Sequence, residues 1–382
     1  MQIQGYCDPA FVAVQNAFAA QFAGHNPQHG GAVCVMLGGE TVVDLWAGVR
    51  DQAGTLPWQA DTLVSLYSCT KTFTGVAALQ LVAEGRLELD GPVSRIWPEF
   101  GCNGKSGITL RQLLCHRAGV AALHQPLAAG AVFDWETMVD VLAGESPWWA
   151  PGQAQGYAPL TYGWLLGEII RRADGQEPGQ AIVQRVARPL GLDFHLGLFG
   201  ADRPRVAWLS RGRNDFGDEA AQRLMRAINR EPASLTGQAF NNPPGLMGWG
   251  NRPEWQTFVQ PAANGYATAR ALAGFYAGLL QGRLLDPALL REMTREHSLG
   301  EDLTLRSHTR FGLGCWLDQP LANATFAMGP HSFGHPGAGG CLGFADPERE
   351  LAFGYITNTL GPYVLMDPRA QALARAARDS LA

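Results

Sequence analysis

The sequence predicts an α/β (α+β) protein in which an antiparallel sheet is flanked by helices and a mainly helical lobe is inserted into it. Three observations lead there. Both ends of the chain carry hairpin patterns, both ends also carry helices able to cover a sheet, and the middle changes to helices broken by Pro- and Gly-rich loops.

Near the start, residues 31–37 and 41–49 are β-rich runs separated by Gly38-Gly39-Glu40, which reads as a hairpin. Near the end, residues 342–345 and 351–357 flank the turn-forming Asp346-Pro347-Glu348-Arg349. The covering helices are expected at residues 9–22, opened by Asp8-Pro9, and at residues 367–381. The second opens on Asp367-Pro368 and carries Ala370, Leu373, Ala374 and Ala377 at helical spacing. Residues 1–104 and 256–382 are accordingly expected to form one discontinuous α/β lobe and residues 105–255 the helical lobe, with an active site in the cleft between them.

Composition narrows the function. The 382 residues are 46% hydrophobic, enough for a large core. Basic residues number 29 against 34 acidic ones, a net charge of −5 with no cluster of like charge, which argues against nucleic acid as a partner. The first thirty residues lack a basic start followed by an unbroken apolar stretch, and no run of eighteen apolar residues occurs, so neither a secretion signal nor a membrane span is expected. A soluble, cytoplasmic protein follows as the expectation. Seven cysteines without a CxxC pair read as reduced thiols, and nine histidines without an HExxH pattern predict no metal site; no cofactor is expected either.

The chemistry points to residues 65–83. Ser68 and Lys71 form a Ser-x-x-Lys, followed by twelve uncharged residues, the pattern of a buried helix that ends near Gly85. Residues three apart on a helix face the same way, so the two side chains can meet in its first turn. The helix N-terminus and partial burial would both depress the lysine pKa, leaving a neutral amine to take the serine proton and free backbone N–H groups to hold an oxyanion. Arginine could not serve, because it keeps its proton. Only Lys71 and Lys105 are lysines in a chain whose other basic side chains are all arginine. Eleven serines and two lysines would form Ser-x-x-Lys by chance roughly 0.06 times in this length, which weighs against an ordinary serine cap and first-turn lysine. The Gly-x-Ser-x-Gly elbow of other hydrolases is absent.

Ser68-x-x-Lys71 resembles the first motif of serine β-lactamases, penicillin-binding proteins and family VIII carboxylesterases. The segment Pro151-Gly152-Gln153-Ala154-Gln155-Gly156-Tyr157-Ala158-Pro159-Leu160-Thr161-Tyr162 resembles their second motif, a loop tyrosine before a helix capped here by Thr161. Tyr157 stands at the motif position, with Tyr162 expected on the helix's packing face. Ser332-Phe333-Gly334-His335-Pro336-Gly337-Ala338-Gly339-Gly340 resembles the third motif, with His335 where lactamases have lysine. Residues 241–244 and 261–265 add to the similarity, which runs over most of the chain.

The resemblance implies a β-lactamase-like fold and a site in which Ser68 is acylated while Lys71 and Tyr157 move protons. It also implies that the Ser68 and Ala338 N–H groups form the oxyanion hole, that small residues such as Gly337 let substrate lie against the strand, and that His335 orients substrate or hydrogen-bonds Tyr157. Pro159 stands where lactamases have asparagine, and His335 removes a carboxylate-binding charge. Both departures favour a serine carboxylesterase acting on small or short-chain esters. A β-lactamase or D-amino-acid peptidase or amidase in the same site, an acyltransferase, and a non-catalytic binding or sensor domain remain alternatives. Trp148, Trp149, Trp249 and Trp255 are candidates for an acyl pocket or for core.

Overall fold

The computed structural model describes every residue except 1, 25, 27, 213–217, 245–247, 249, 322, 323 and 382. Trp249 and residues 245–247 of the loop at 243–250 therefore lie outside the described residues. The chain runs β1 (Gln4–Cys7), α1 (Val12–Ala20), β2 (Gly30–Leu37), β3 (Glu40–Gly48), β4 (Val64–Ser65), α2 (Thr70–Ala83), α3 (Leu110–Leu114), α4 (Trp135–Gly144), α5 (Thr161–Asp174), α6 (Pro178–Ile182) and β5 (Phe194–Leu196). It continues through β6 (Ser210–Arg211), α7 (Glu219–Arg230), α8 (Leu235–Asn241), α9 (Pro253–Thr257), β7 (Gly265–Ala267), α10 (Ala269–Leu280), α11 (Pro287–Thr294), β8 (Ser298–Asp302), β9 (Ser307–Phe311) and β10 (Trp316–Leu317). It ends with β11 (Phe333–Pro336), β12 (Leu342–Asp346), β13 (Leu351–Thr357), β14 (Thr359–Leu360) and α12 (Pro368–Asp379).

The two expected hairpins meet at the centre of one antiparallel nine-stranded sheet, ordered β1-β3-β2-β13-β12-β11-β10-β9-β8. Gly38 and Gly39 turn the first at φ +58° and +90°, values glycine reaches without penalty. In the second, Asp346 Oδ1 accepts from the Glu348 N–H, a side chain doing the turn's work. Register then sorts the side chains by a period of two. Val33, Val35, Leu342, Phe344, Phe353 and Tyr355 face α1 and α12, while Ala32, Cys34, Ala345, Ala352 and Ile356 face the other core.

The covering helices start as their sequences require. Asp8 accepts from the Ala10 N–H and Asp367 from the Arg369 N–H, each followed by proline. The first begins as a 3₁₀ turn, Pro9–Phe11, before α1 proper. On the opposite face α10 lies across β13, β2 and β12. It approaches closely because Gly343 and Gly354 are cross-strand partners: a Cβ on Gly354 would sit 2.5 Å from Ala269 O and 2.7 Å from Ala273 N.

Helix α2 is buried along its length from Thr70 to Leu79, as the uncharged run predicts, and Gly85 follows at φ +70°. Ser68 is not inside it but in a 3₁₀ turn, Tyr67–Cys69, that leads in. Two small sheets absent from the sequence reading join distant segments: β4-β7-β5, and a parallel pair of β14 with β6. Among the described residues no helix is long and apolar enough to cross a membrane.

A Gly354→Ala substitution meets the backbone of α10 rather than a movable side chain. It is expected to lower unfolding free energy by about 1–3 kcal/mol in a denaturant titration, with secondary structure retained.

Candidate active site

The Ser68 turn is held from three directions. The Leu66 N–H donates to Gly265 O at 2.8 Å, tying the turn to β7. The Cys69 thiol donates to His335 O at 3.0 Å, tying it to β11. Beyond β11, Gly337 packs so closely that a Cβ there would overlap Leu66 O, which is the close approach that demands glycine. Tyr67 takes φ +46°, a left-handed conformation rare for a bulky residue, and turns the following hydroxyl into a partly exposed position.

Lys71 is fully buried on the first turn of α2. Its Nζ lies 3.2 Å from Ser68 Oγ, 2.8 Å from Pro159 O and 3.1 Å from Ala262 O. Burial holds the amine well below its ordinary value of 10.5. Desolvation is the largest cause, in line with the burial expected from sequence. A neutral amine has two N–H donors and one lone pair. The two carbonyls accept the donors, so the lone pair is left for the Ser68 hydroxyl.

Tyr157 completes the cluster. Its Oη lies 2.7 Å from Ser68 Oγ, and burial pushes the phenol above its ordinary pKa, so it stays protonated and donates to the serine oxygen. Three consecutive backbone N–H groups fix its loop. Gly156 donates to His116 O at 3.0 Å, Tyr157 to both carboxylate oxygens of Asp302 at 3.0 and 2.9 Å, and Ala158 to His116 Nδ1 at 3.3 Å. Asp302 also accepts from Thr304 N, Leu305 N and Thr309 Oγ1. Burial raises its pKa to about 6 against these hydrogen bonds, leaving it ionised at neutral pH. Burial likewise depresses His116 well below the usual imidazole range, which suits a bare Nδ1 acceptor.

The third segment enters differently from its sequence expectation. Pro336 O can only accept, so the 2.7 Å contact places a proton on His335 Nδ1. No hydrogen bond joins His335 to Tyr157. The register of β11 on β12 instead stands the imidazole between the Tyr157 and Trp316 rings, at 5.9 and 6.3 Å between centroids. Burial drives its pKa down to about 3, and among the described residues Nε2 has no partner. Ala338 follows on the same turn and borders a cavity with Tyr67.

Other expectations are corrected or extended. Thr161 does not cap α5: it is the first helical residue, behind Leu160, and its hydroxyl donates to Val120 O. Tyr162 is core, with its Oη donating to Lys71 O at 3.3 Å. The described tryptophans pack rather than line the cavity beside Ser68: Trp148 stacks on His124, Trp149 donates to Ala154 O, and Trp255 is buried. Residues 261–265 supply the Ala262 carbonyl for Lys71, and Asn242 bridges Leu123 O and Gln125 O. His116, Asp302 and the two carbonyls were not foreseen. The carbonyls have no side-chain signature, and Asp302 lies 145 residues from the tyrosine whose loop it holds. Among the described residues no group of three or more His, Cys, Asp or Glu stands together as a metal site.

A serine flanked by a desolvated amine and a protonated phenol, at the head of a buried helix beside an antiparallel sheet, is the arrangement of a serine hydrolase. The Beta-lactamase family profile matches residues 16–378, and the chain belongs to that family. It is 34% identical over 380 residues to the esterase/beta-lactamase LipL of Mycobacterium tuberculosis, covering 96% of this chain and 85% of that protein. The crystal structure of a penicillin-binding protein homologue from Caulobacter crescentus superposes with a TM-score of 0.88 at 35% identity, over 100% of both chains. A family VIII carboxylesterase structure gives 0.88 at 32% identity, again over 100% of both.

Replacing Asp302 by alanine strands the buried Tyr157, Thr304 and Leu305 N–H groups. The variant is expected to lose about 2 kcal/mol or more of unfolding free energy, with faster amide exchange at Tyr157.

Proposed function

We propose that the chain is a serine carboxylesterase that hydrolyses small or short-chain carboxylic esters through an acyl-enzyme on Ser68. The observation that carries this reading is the placement of Tyr157 Oη at 2.7 Å and Lys71 Nζ at 3.2 Å from one partly exposed hydroxyl. Lys71 accepts the Ser68 proton as Oγ bonds to the ester carbonyl carbon, and the carbonyl π pair moves onto oxygen. The N–H groups of Ser68 and Ala338 are assigned to that oxyanion, and Gly337 and His335 to the wall against which substrate lies. As the tetrahedral intermediate collapses, the C–O bond to the alcohol breaks and Tyr157 supplies the proton to the leaving oxygen, regaining one from the Lys71 ammonium. Water, deprotonated along the same path, then attacks the acyl carbon, and the acid leaves as Ser68 recovers its proton.

The esterase assignment is favoured over amide hydrolysis by two local features. Pro159 offers Lys71 a carbonyl but brings no side-chain amide to hold a substrate amide, and His335 is uncharged where a cation would bind a lactam carboxylate. We also propose the division into residues 1–104 with 256–382, and 105–255, since Ser68 and Lys71 come from the first part and Tyr157 from the second. The cytoplasmic placement is supported by seven free cysteines.

Turnover of a 4-nitrophenyl short-chain ester should vanish in Ser68→Ala and in Lys71→Arg, whose guanidinium keeps its proton. Tyr157→Phe should lose about 100-fold or more in kcat. Undiminished activity in Ser68→Ala, or faster hydrolysis of nitrocefin or D-Ala peptides than of esters, would overturn the proposal.

The pH profile gives a second check. The reactive form of Lys71 is the free amine, so kcat/KM should rise with pH as the ammonium is lost. Because burial holds that pKa well below 10.5, the plateau should be reached far below the range of an ordinary lysine. A profile still climbing toward 10.5 would show a solvated, charged Lys71.

A further inference from the structure

A cavity of about 1000 Å³ opens beside the nucleophile turn, bordered there by Tyr67 and Ala338. Part of its wall is one face of α7, where Gln222, Met225, Arg226, Asn229 and Arg230 recur at helical spacing, and Arg211 of β6 adds a third guanidinium. The helix is held in place by Asp218, which accepts from the Ala220 and Ala221 N–H groups, and by burial of Leu224 and Ala227 on its opposite side.

Among the described residues that line it, every charged side chain is an arginine, and none is an aspartate or glutamate. Among the described residues Arg211, Arg226 and Arg230 make no ion pair, whereas Arg171, Arg185 and Arg205 each hold two or more carboxylates. Three unpaired guanidinium groups around one concave space attract an anion, and their planar forks match a carboxylate.

Position assigns the anion to one half of the ester. Lys71 and Tyr157, which handle the alcohol's proton, are buried and border none of this cavity, which reaches the nucleophile turn at Tyr67 and the oxyanion side at Ala338 rather than at Ser68 itself. The leaving oxygen must lie against Tyr157, so the cavity on the Tyr67 and Ala338 side is left for the acyl group. Resting on the esterase reading above, we infer that the preferred substrates are half-esters of dicarboxylic acids, with the free carboxylate on the acyl part held by Arg211, Arg226 and Arg230.

The test compares kcat/KM for monoethyl adipate and ethyl hexanoate by pH-stat titration, in wild type and in R226A/R230A. The wild-type ratio is expected to favour the half-ester by about tenfold at low salt and to shrink in 0.5 M NaCl, as exposed charges are screened. The double variant should lose most of that preference. Because each ratio is measured on one protein sample, partial misfolding cancels from it. A wild-type ratio near or below one, or a ratio the double variant leaves unchanged, overturns the inference. So does a preference for acetoxyacetate over ethyl acetate that exceeds the adipate preference, since the anion would then sit on the alcohol side. No turnover of any ester, neutral ones included, sinks the esterase reading itself and this inference with it.

Discussion

One buried amine organises this molecule's chemistry. Lys71 has left water completely, and a charged ammonium in that position would lack compensation, because among the described residues no carboxylate accepts from it. As a neutral amine it is satisfied by two carbonyls and one hydroxyl. Those carbonyls belong to Pro159 and Ala262, 88 and 191 residues further along the chain. The base therefore exists only when α2, the Tyr157 loop and the segment entering β7 converge. Lys105 follows the same logic elsewhere: it too is buried and donates to the carbonyls of Cys102, Ala143 and Glu145. Both lysines of this arginine-rich chain are interior donors to backbone oxygen, in spaces where a broad guanidinium fork has no counterpart.

Burial tunes the neighbours in a consistent direction. It lowers His116 and His335 and raises Tyr157, so each of them rests in its uncharged form. Charge enters the cluster only when Ser68 attacks, as an oxyanion and an ammonium formed together in a medium that screens them poorly. The ionised Asp302 stands back from the reacting atoms and acts on backbone N–H groups instead. It holds Tyr157 in place through the backbone, and its charge adds to burial in keeping the phenol protonated.

Access and chemistry are divided between two sides of the serine. The groups that move protons are enclosed, whereas the Tyr67 and Ala338 side opens to a cavity lined by arginine, asparagine and a few apolar side chains. The unusual backbone of Tyr67 sits at this division, between the cavity that Tyr67 borders and the partly exposed Ser68 that follows it.

Much of the frame was legible from local pattern. The β-rich runs about Gly38-Gly39 and Asp346-Pro347, the Asp-Pro helix starts and the uncharged run after Lys71 each specify local structure through short-range sterics and hydrogen bonds. The three-residue spacing of Ser68 and Lys71 foretold their contact, although Ser68 stands in the 3₁₀ turn that leads into α2 rather than in the helix. The tertiary structure decided what short-range rules cannot reach. It brought Tyr157 to the serine through Asp302 and His116, and it set two anonymous carbonyls against Lys71. It also turned His335 to its own strand's carbonyl and placed the arginines of α7 around the opening. These depend on contacts between residues far apart in the chain, where burial sets protonation and backbone atoms carry no mark of their role in the sequence.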